Sequence, residues 1–230
     1  MAETKPALRD PKSLLAPFYI FIILVTFVAV LLNVATSAFY YLSKGDPNWA
    51  PTDYLGSGVA IAVLALSLIS LGAFIGAVIF TLTITYRMVR NLKTIGSGYM
   101  TMSPFWSAAF YFVPFANLAM PANAIAEVWK GTYAELEDAP PEPNGAIAWW
   151  WGPWLVSNIL DNVASRLLGT GLFQTPMQPT PQMLTIGIAL SIAALLALVI
   201  SSFAMIRLFA RLAKAQSQMI ERVKLREASP

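Results

Sequence analysis

Asn158, Asp161, Asn162 and Ser165 stand at i, i+3, i+4 and i+7, the spacing that gathers side chains on one face of an α-helix. They interrupt an otherwise apolar run, with Val156, Ile159, Leu160, Val163 and Leu167 on the other faces. One carboxyl and two amides placed in this way can hydrogen-bond a neighbouring helix, or they can line a path for protons or cations. Relays normally need a chain of acids, and Asp161 is the one acid in any of the long apolar runs. Packing through Asn158, Asn162 and Asn117 is therefore the preferred reading. Arg166 lies about 140° around the helix from Asp161, which is poor for pairing, so it is expected to reach for outer headgroups.

Asn91, Asn117 and Asn123 are further amides able to line a polar cavity, with Glu127 and Trp129 at its mouth. The simpler role for Asn117 is to satisfy backbone freed by Pro114. Enzyme chemistry is largely closed off. The chain has no histidine and no cysteine, which removes the commonest general base, the usual zinc ligands and thiol nucleophiles. An aspartyl protease of the membrane needs two facing aspartates, and only Asp161 qualifies. No catalytic residue, metal ligand or cofactor site is assigned.

The elements that must position these residues follow from composition. Hydrophobic residues make up 57% of the chain and charged residues 12%, with mean hydropathy +0.62, which places it in the membrane class. The net charge of +3 is small and the cations sit at the ends of apolar runs, so nucleic acid is not a partner. After Lys5, Arg9 and Lys12, the run Phe18 to Tyr41 is too long for a signal-peptide core and reads as a first retained span. A second run, Leu55 to Tyr86, ends at Arg87, Arg90 and Lys93 and carries Gly72-x-x-x-Gly76, a face suited to close helix approach. Ala146 to Leu168 is the third, opening on Trp149, Trp150, Trp151 and Trp154 like an interfacial belt. The fourth ends at Ile206 and bears a small-residue ladder, Ala189, Ala193, Ala197 and Ser201. Beyond it, 207–230 reads as a basic cytoplasmic helical extension. Its seam of Met205, Phe209, Leu212, Gln216, Met219 and Val223 suits either a short coiled coil or an amphipathic helix on anionic headgroups.

Between the second and third runs, Ser103 to Lys130 is apolar yet broken by Pro104, Pro114 and Pro121. It reads as two half-helices whose Phe112–Asn117 turn must be covered by other helices, because lipid offers nothing to freed carbonyls. Lys and Arg favour the cytoplasmic side. With four crossings and a re-entrant central segment, the inside holds 13 and the outside 2; with five the split is 7 to 8. If instead the central segment crosses and the Trp-rich helix lies on the outer surface, it is 12 to 3. The expectation is an all-α membrane protein, a single integral domain over 1–230, with four transmembrane helices plus a Pro-broken re-entrant or interfacial segment over 104–130.

Arg90-Asn91-Leu92, Ser103-Pro104-x-Trp106, Phe112-Val113-Pro114-Phe115-Ala116-Asn117-Leu118, Pro121, Glu127-Val128-Trp129, Trp149-Trp150 and Leu155-Val156-Ser157-Asn158-Ile159-Leu160 together carry a family resemblance. Over about Arg87 to Leu168 the chain resembles the bacterial integral membrane family catalogued as domain of unknown function 4328. The resemblance implies a compact multi-span protein of the bacterial inner membrane, and it brings no activity, substrate or site residue. The functional expectation is a non-enzymatic structural or accessory subunit with both termini cytoplasmic. Its partners are the bilayer and other membrane subunits or itself. The alternative is a small transporter, channel or lipid-binding protein using the third span's polar stripe and the broken segment.

Overall fold

The computed structural model describes residues 7–43, 51–136, 143, 145–169 and 179–229, with backbone alone for 36–43 and 51–60. The acidic, Pro-rich stretch 137–142 with 144, the uncharged stretch 170–178 before the last helix and the link 44–50 after the first helix lie outside these residues. The chain forms α1 (Leu15–Ser43), α2 (Pro51–Thr94), α3 (Pro104–Ala109), α4 (Met120–Ala134), α5 (Ala146–Leu168) and α6 (Pro181–Ala228). Among the described residues there is no strand.

Local chemistry sets the boundaries. Asp10 caps the 3₁₀ turn Pro11–Leu14 that leads into α1, its carboxylate accepting from Lys12 N. The second helix does not stop at its first cations. Arg87, Arg90 and Lys93 are good helix formers, and α2 runs through them until Gly96, at φ +78, closes a Schellman turn in which Ser97 N donates to Leu92 O and Gly96 N to Lys93 O. α2 has 44 residues and α6 has 48, so at 1.5 Å per residue they reach about 66 and 72 Å, twice a ~30 Å hydrocarbon core.

Contacts gather the chain into two compact units, one of Met1–Ile20, Gly76–Trp151 and Phe203–Pro230, the other of Phe21–Ile75 and Gly152–Ser202. The first has a conventional core of large apolar side chains, with Phe18, Ile84, Met88, Leu92, Ile125, Phe209, Leu212 and Met219 fully buried. The second differs. Its surface carries Ile23, Phe27, Leu64, Leu68, Phe74, Ile192 and Leu196, while the small residues Ala73, Ser157, Ala164, Ala194 and Ser201 share its inside with Ile22, Val28, Leu168 and Leu184. Polar bonds join its helices: Asn33 Nδ2 donates to Ser191 Oγ at 2.8 Å, and the Thr26 and Ser202 hydroxyls meet at 2.9 Å. Small and polar inside with large and apolar outside is the arrangement of helices solvated by lipid.

Among the described residues, three helices are long and apolar enough to cross a membrane, over Pro11–Ala35, Ile61–Thr94 and Pro181–Ala228. α5, expected as a fourth span, is helical over its full length but is not among them, since its polar stripe and Arg166 dilute its apolar run.

The central segment departs from two half-helices. α3 lasts 6 residues, and a 3₁₀ turn at Ala116–Leu118 precedes α4. The break falls at Pro114, but among the described residues no other helix covers the turn: Phe112 is 66% exposed and Phe115 85%. The turn satisfies its backbone locally instead, with Ala116 N donating to Pro114 O at 2.8 Å and Asn117 N to Val113 O at 3.0 Å.

Candidate functional site

The polar stripe is an outward face of α5. Asn158, Asp161 and Asn162 are all exposed, alongside exposed Val156, Ile159 and Val163, while Ser157, Ala164 and Leu168 turn inward. Asn158 Nδ2 donates to Trp154 O at 2.7 Å and Ser165 Oγ to Asn162 O at 3.0 Å, so these groups partly satisfy their own helix. Asp161 has neither hydrogen bond nor ion pair among the described residues, Arg166 included. Asn117 belongs to the other unit, half-buried, and its side chain makes no hydrogen bond among the described residues. Three of the four expected polar-site residues thus share one face.

The small-residue faces separate into packed and open positions. Gly72 is exposed with nothing within 4 Å of where a Cβ would stand, whereas Gly76 is buried. Ala189 and Ala193 are exposed, Ala197 half-buried and Ser201 buried. Among the described residues no neighbour packs closely on Gly72, and a close approach occurs at another glycine. A Cβ on Gly187 would come within 2.8 Å of the Leu168 side chain, so here α5 and α6 touch because one residue has no side chain.

The other unit contains a polar network that the sequence does not assemble. Asn91 Oδ1 accepts from Arg9 N at 3.0 Å, while its Nδ2 donates to Arg9 O at 2.8 Å and to Gln216 Oε1 at 3.0 Å. Gln216 Nε2 then donates to Thr132 Oγ1 at 2.8 Å. Asn91, Thr132 and Gln216 are buried, and each amide oxygen and nitrogen is used. The visible signal was Gln216, a polar residue within an apolar seam. That seam is buried against the chain itself at Phe209, Leu212, Gln216 and Met219, so it is neither laid on headgroups nor free for a coiled coil.

Two further expectations change. Glu127, placed at a cavity mouth, instead closes the loop before α3, accepting from Thr101 N at 2.9 Å and from the Thr101 hydroxyl. Of the four expected belt tryptophans, Trp149 is 63% exposed but Trp150 and Trp151 are buried. Trp150 stands edge-on to Phe209 and Trp151 Nε1 donates to Leu118 O at 2.8 Å, which ties the broken segment to α5. The Tyr111 and Thr85 hydroxyls are both buried without a well-formed partner; burial pushes the Tyr111 hydroxyl pKa up, and the nearby Thr85 hydroxyl only partly offsets this.

Phe115 has φ +63 and ψ −40 as the middle residue of the turn closed by Ala116 N and Pro114 O, the γ-turn geometry that costs a non-glycine residue energy. Among the described residues, neither the stripe nor the network pairs a nucleophile with a base.

No curated protein and no solved structure matches the chain. A family model described as Domain of unknown function (DUF4328) matches residues 55–214, which takes in nearly all of α2, the broken segment, the stripe of α5 and most of α6. Since the match covers well over half of its length, the chain belongs to the DUF4328 family.

Proposed function

We propose that this is a non-enzymatic membrane protein of the bacterial inner membrane that works by assembly, the stripe of α5 being covered by a helix of another subunit or of a second copy. The observation that carries this reading is the exposure of Asn158, Asp161 and Asn162 on a helix whose neighbouring positions are apolar. Left against lipid, an aspartate at a helix centre costs roughly 2.5–3.5 kcal/mol on insertion scales. A partner helix offering hydrogen bonds offsets part of that cost, at about 0.6–2 kcal/mol per bond. The open small-residue positions Gly72, Ala189 and Ala193 give the same unit further places for close helix approach.

A four-crossing topology with both termini cytoplasmic is part of the proposal. Its support comes from hydrogen bonds. Arg9, Asn91, Thr132 and Gln216 are bonded in one chain of contacts, which supports a topology that keeps all four on one side of the membrane. The segment between Asn91 and Thr132 then makes no net crossing. Since α6 crosses before Gln216, one more crossing is needed after Thr132, and α5 is the remaining long helix. Among the described residues, twelve of thirteen Lys and Arg fall in the unit that holds this network, Arg166 being the exception, as the cytoplasmic bias of cations requires. In this topology Asp161 is roughly 16 Å along α5 from Trp150, near the bilayer's middle.

The chain has no cysteine, which makes the test direct. Single Asn158→Cys, Asp161→Cys and Asn162→Cys variants should form disulfide-linked or thiol-crosslinked products in native membranes, and Ser157→Cys, on the inward face, should not. Absence of any product at the three outward positions, with no protein co-purifying after gentle solubilisation, would refute assembly through α5. Asp161→Asn should fold and support the wild-type phenotype; an Asp161-dependent ion flux in vesicles would instead favour the transport alternative.

A further inference from the structure

We infer that α6 carries a binding site for the phosphate of an anionic phospholipid, made by Arg207 and Arg211 at the point where its apolar run ends. From Pro181 to Ile206 the helix has no charged residue, so Arg207 is its first charge. In a membrane helix that position lies at headgroup depth. Phe203, Arg207 and Arg211 follow at intervals of four and share one face, with both arginines exposed. Each guanidinium is held against an aromatic ring rather than an acid. Arg207 lies 4.1 Å from the Phe203 ring centre, and Arg211 lies 5.2 Å from that of Trp129, whose own ring is buried.

A guanidinium held over a ring is restrained there without its N–H donors being consumed, so they stay free for an anion. Neither arginine has a hydrogen bond or acidic partner among the described residues, where Arg226 with Glu135 is the one ion pair. Arg87, the first cation after the apolar run of α2, differs: its Nη1 is used by Ser13 Oγ at 3.2 Å. Two unpaired guanidinium forks one helical turn apart, at headgroup depth, match the bidentate geometry of a phosphate diester. The charge on the site selects a net negative headgroup, since a zwitterion brings its own ammonium to the same place. This goes beyond the assembly reading and uses none of its residues.

The test uses the full chain purified in mild detergent and incorporated into nanodiscs of phosphatidylcholine with about 20% phosphatidylglycerol, an anionic surface. Native mass spectrometry after release should show one or two retained phosphatidylglycerol molecules per chain, in preference to phosphatidylcholine. Arg207→Gln and Arg211→Gln should each lower that preference about five-fold, the effect of one cation at an anionic surface. Arg166→Gln, in the other unit, should leave it unchanged, and unaltered thermal melting of the variants shows that they remain folded. Arg207→Lys should retain part of the preference, because the charge stays and the fork is lost. Equal retention of the two lipids by the wild type would overturn the site, as would full preference in the Arg207→Gln/Arg211→Gln double variant. Displacement of the lipid by millimolar inorganic phosphate would also overturn it, by assigning the arginines to a free anion.

Discussion

Removing the Asn91 side chain should detach the N-terminal segment and cost a large part of the protein's stability. In Asn91→Ala three hydrogen bonds of 2.8–3.0 Å disappear together. Gln216 Oε1 is then left without a donor in a residue that is 0% exposed, a loss of about 1–3 kcal/mol for a buried acceptor. The two Arg9 backbone groups are only part-buried and regain water, so each contributes the smaller net value of about 0.5–1.5 kcal/mol. The total is about 2–6 kcal/mol, against a usual stability of roughly 5–15 kcal/mol. Denaturant unfolding in mild detergent reads the loss, and trypsin cleavage after Arg9 or Lys12 reads release of the segment. Gln216→Ala should combine with Asn91→Ala less than additively, by about 1–2 kcal/mol, because the double variant leaves no orphaned Oε1. An Asn91→Ala protein within about 1 kcal/mol of the parent, with its trypsin pattern unchanged, would refute the reasoning.

Gly187→Leu should lower the melting temperature, an overpacking cost of about 1–3 kcal/mol, because its side chain must displace Leu168. Gly72→Leu meets open space, so the purified chain should melt like the parent, within about 0.5 kcal/mol, while crosslinking through α5 in membranes falls if the partner also covers Gly72. Phe115→Gly should stabilise by about 1 kcal/mol, since it relieves a positive φ and removes a side chain that buries little; a destabilised variant would mean that the exposed ring makes contacts in the detergent-bound protein.

Long apolar runs are the part of this fold that a one-dimensional reading recovers, because crossing a bilayer imposes a length and forbids charge. Hence α1, the apolar part of α2 and α6 were legible, as was the break at Pro114, where a missing N–H must interrupt a helix. The ends of α2 and α6 were not, because a cation marks where lipid ends and not where helix ends. Close packing was misplaced for a related reason. Gly72 and Gly187 look alike in sequence, and only the rotation of the helix decides which one meets Leu168. Trp150 and Trp151 read as interfacial by composition, yet their burial depends on Phe209 and Leu118, far away in the chain. The stripe was recovered as a face, since i, i+3, i+4 fixes that much, but whether the face looked inward could not follow from spacing. Asn91, Thr132 and Gln216 come from three separate helices, and no local pattern connects them.

Asn91 recognises residue 9 through its main chain, with one amide oxygen on the N–H and one amide nitrogen on the carbonyl. The clamp is therefore blind to the side chain that passes through it. Position 9 is free to drift through almost any residue during divergence, with proline the clear exception, because it has no N–H to offer. Position 91 has no such freedom. Aspartate supplies no donor, glutamine is one methylene too long, and an apolar residue strands Gln216. In any relative that keeps this clamp, constancy at 91 beside variability at 9 is the expected pattern, and a relative that loses the asparagine should also lose the glutamine that answers it.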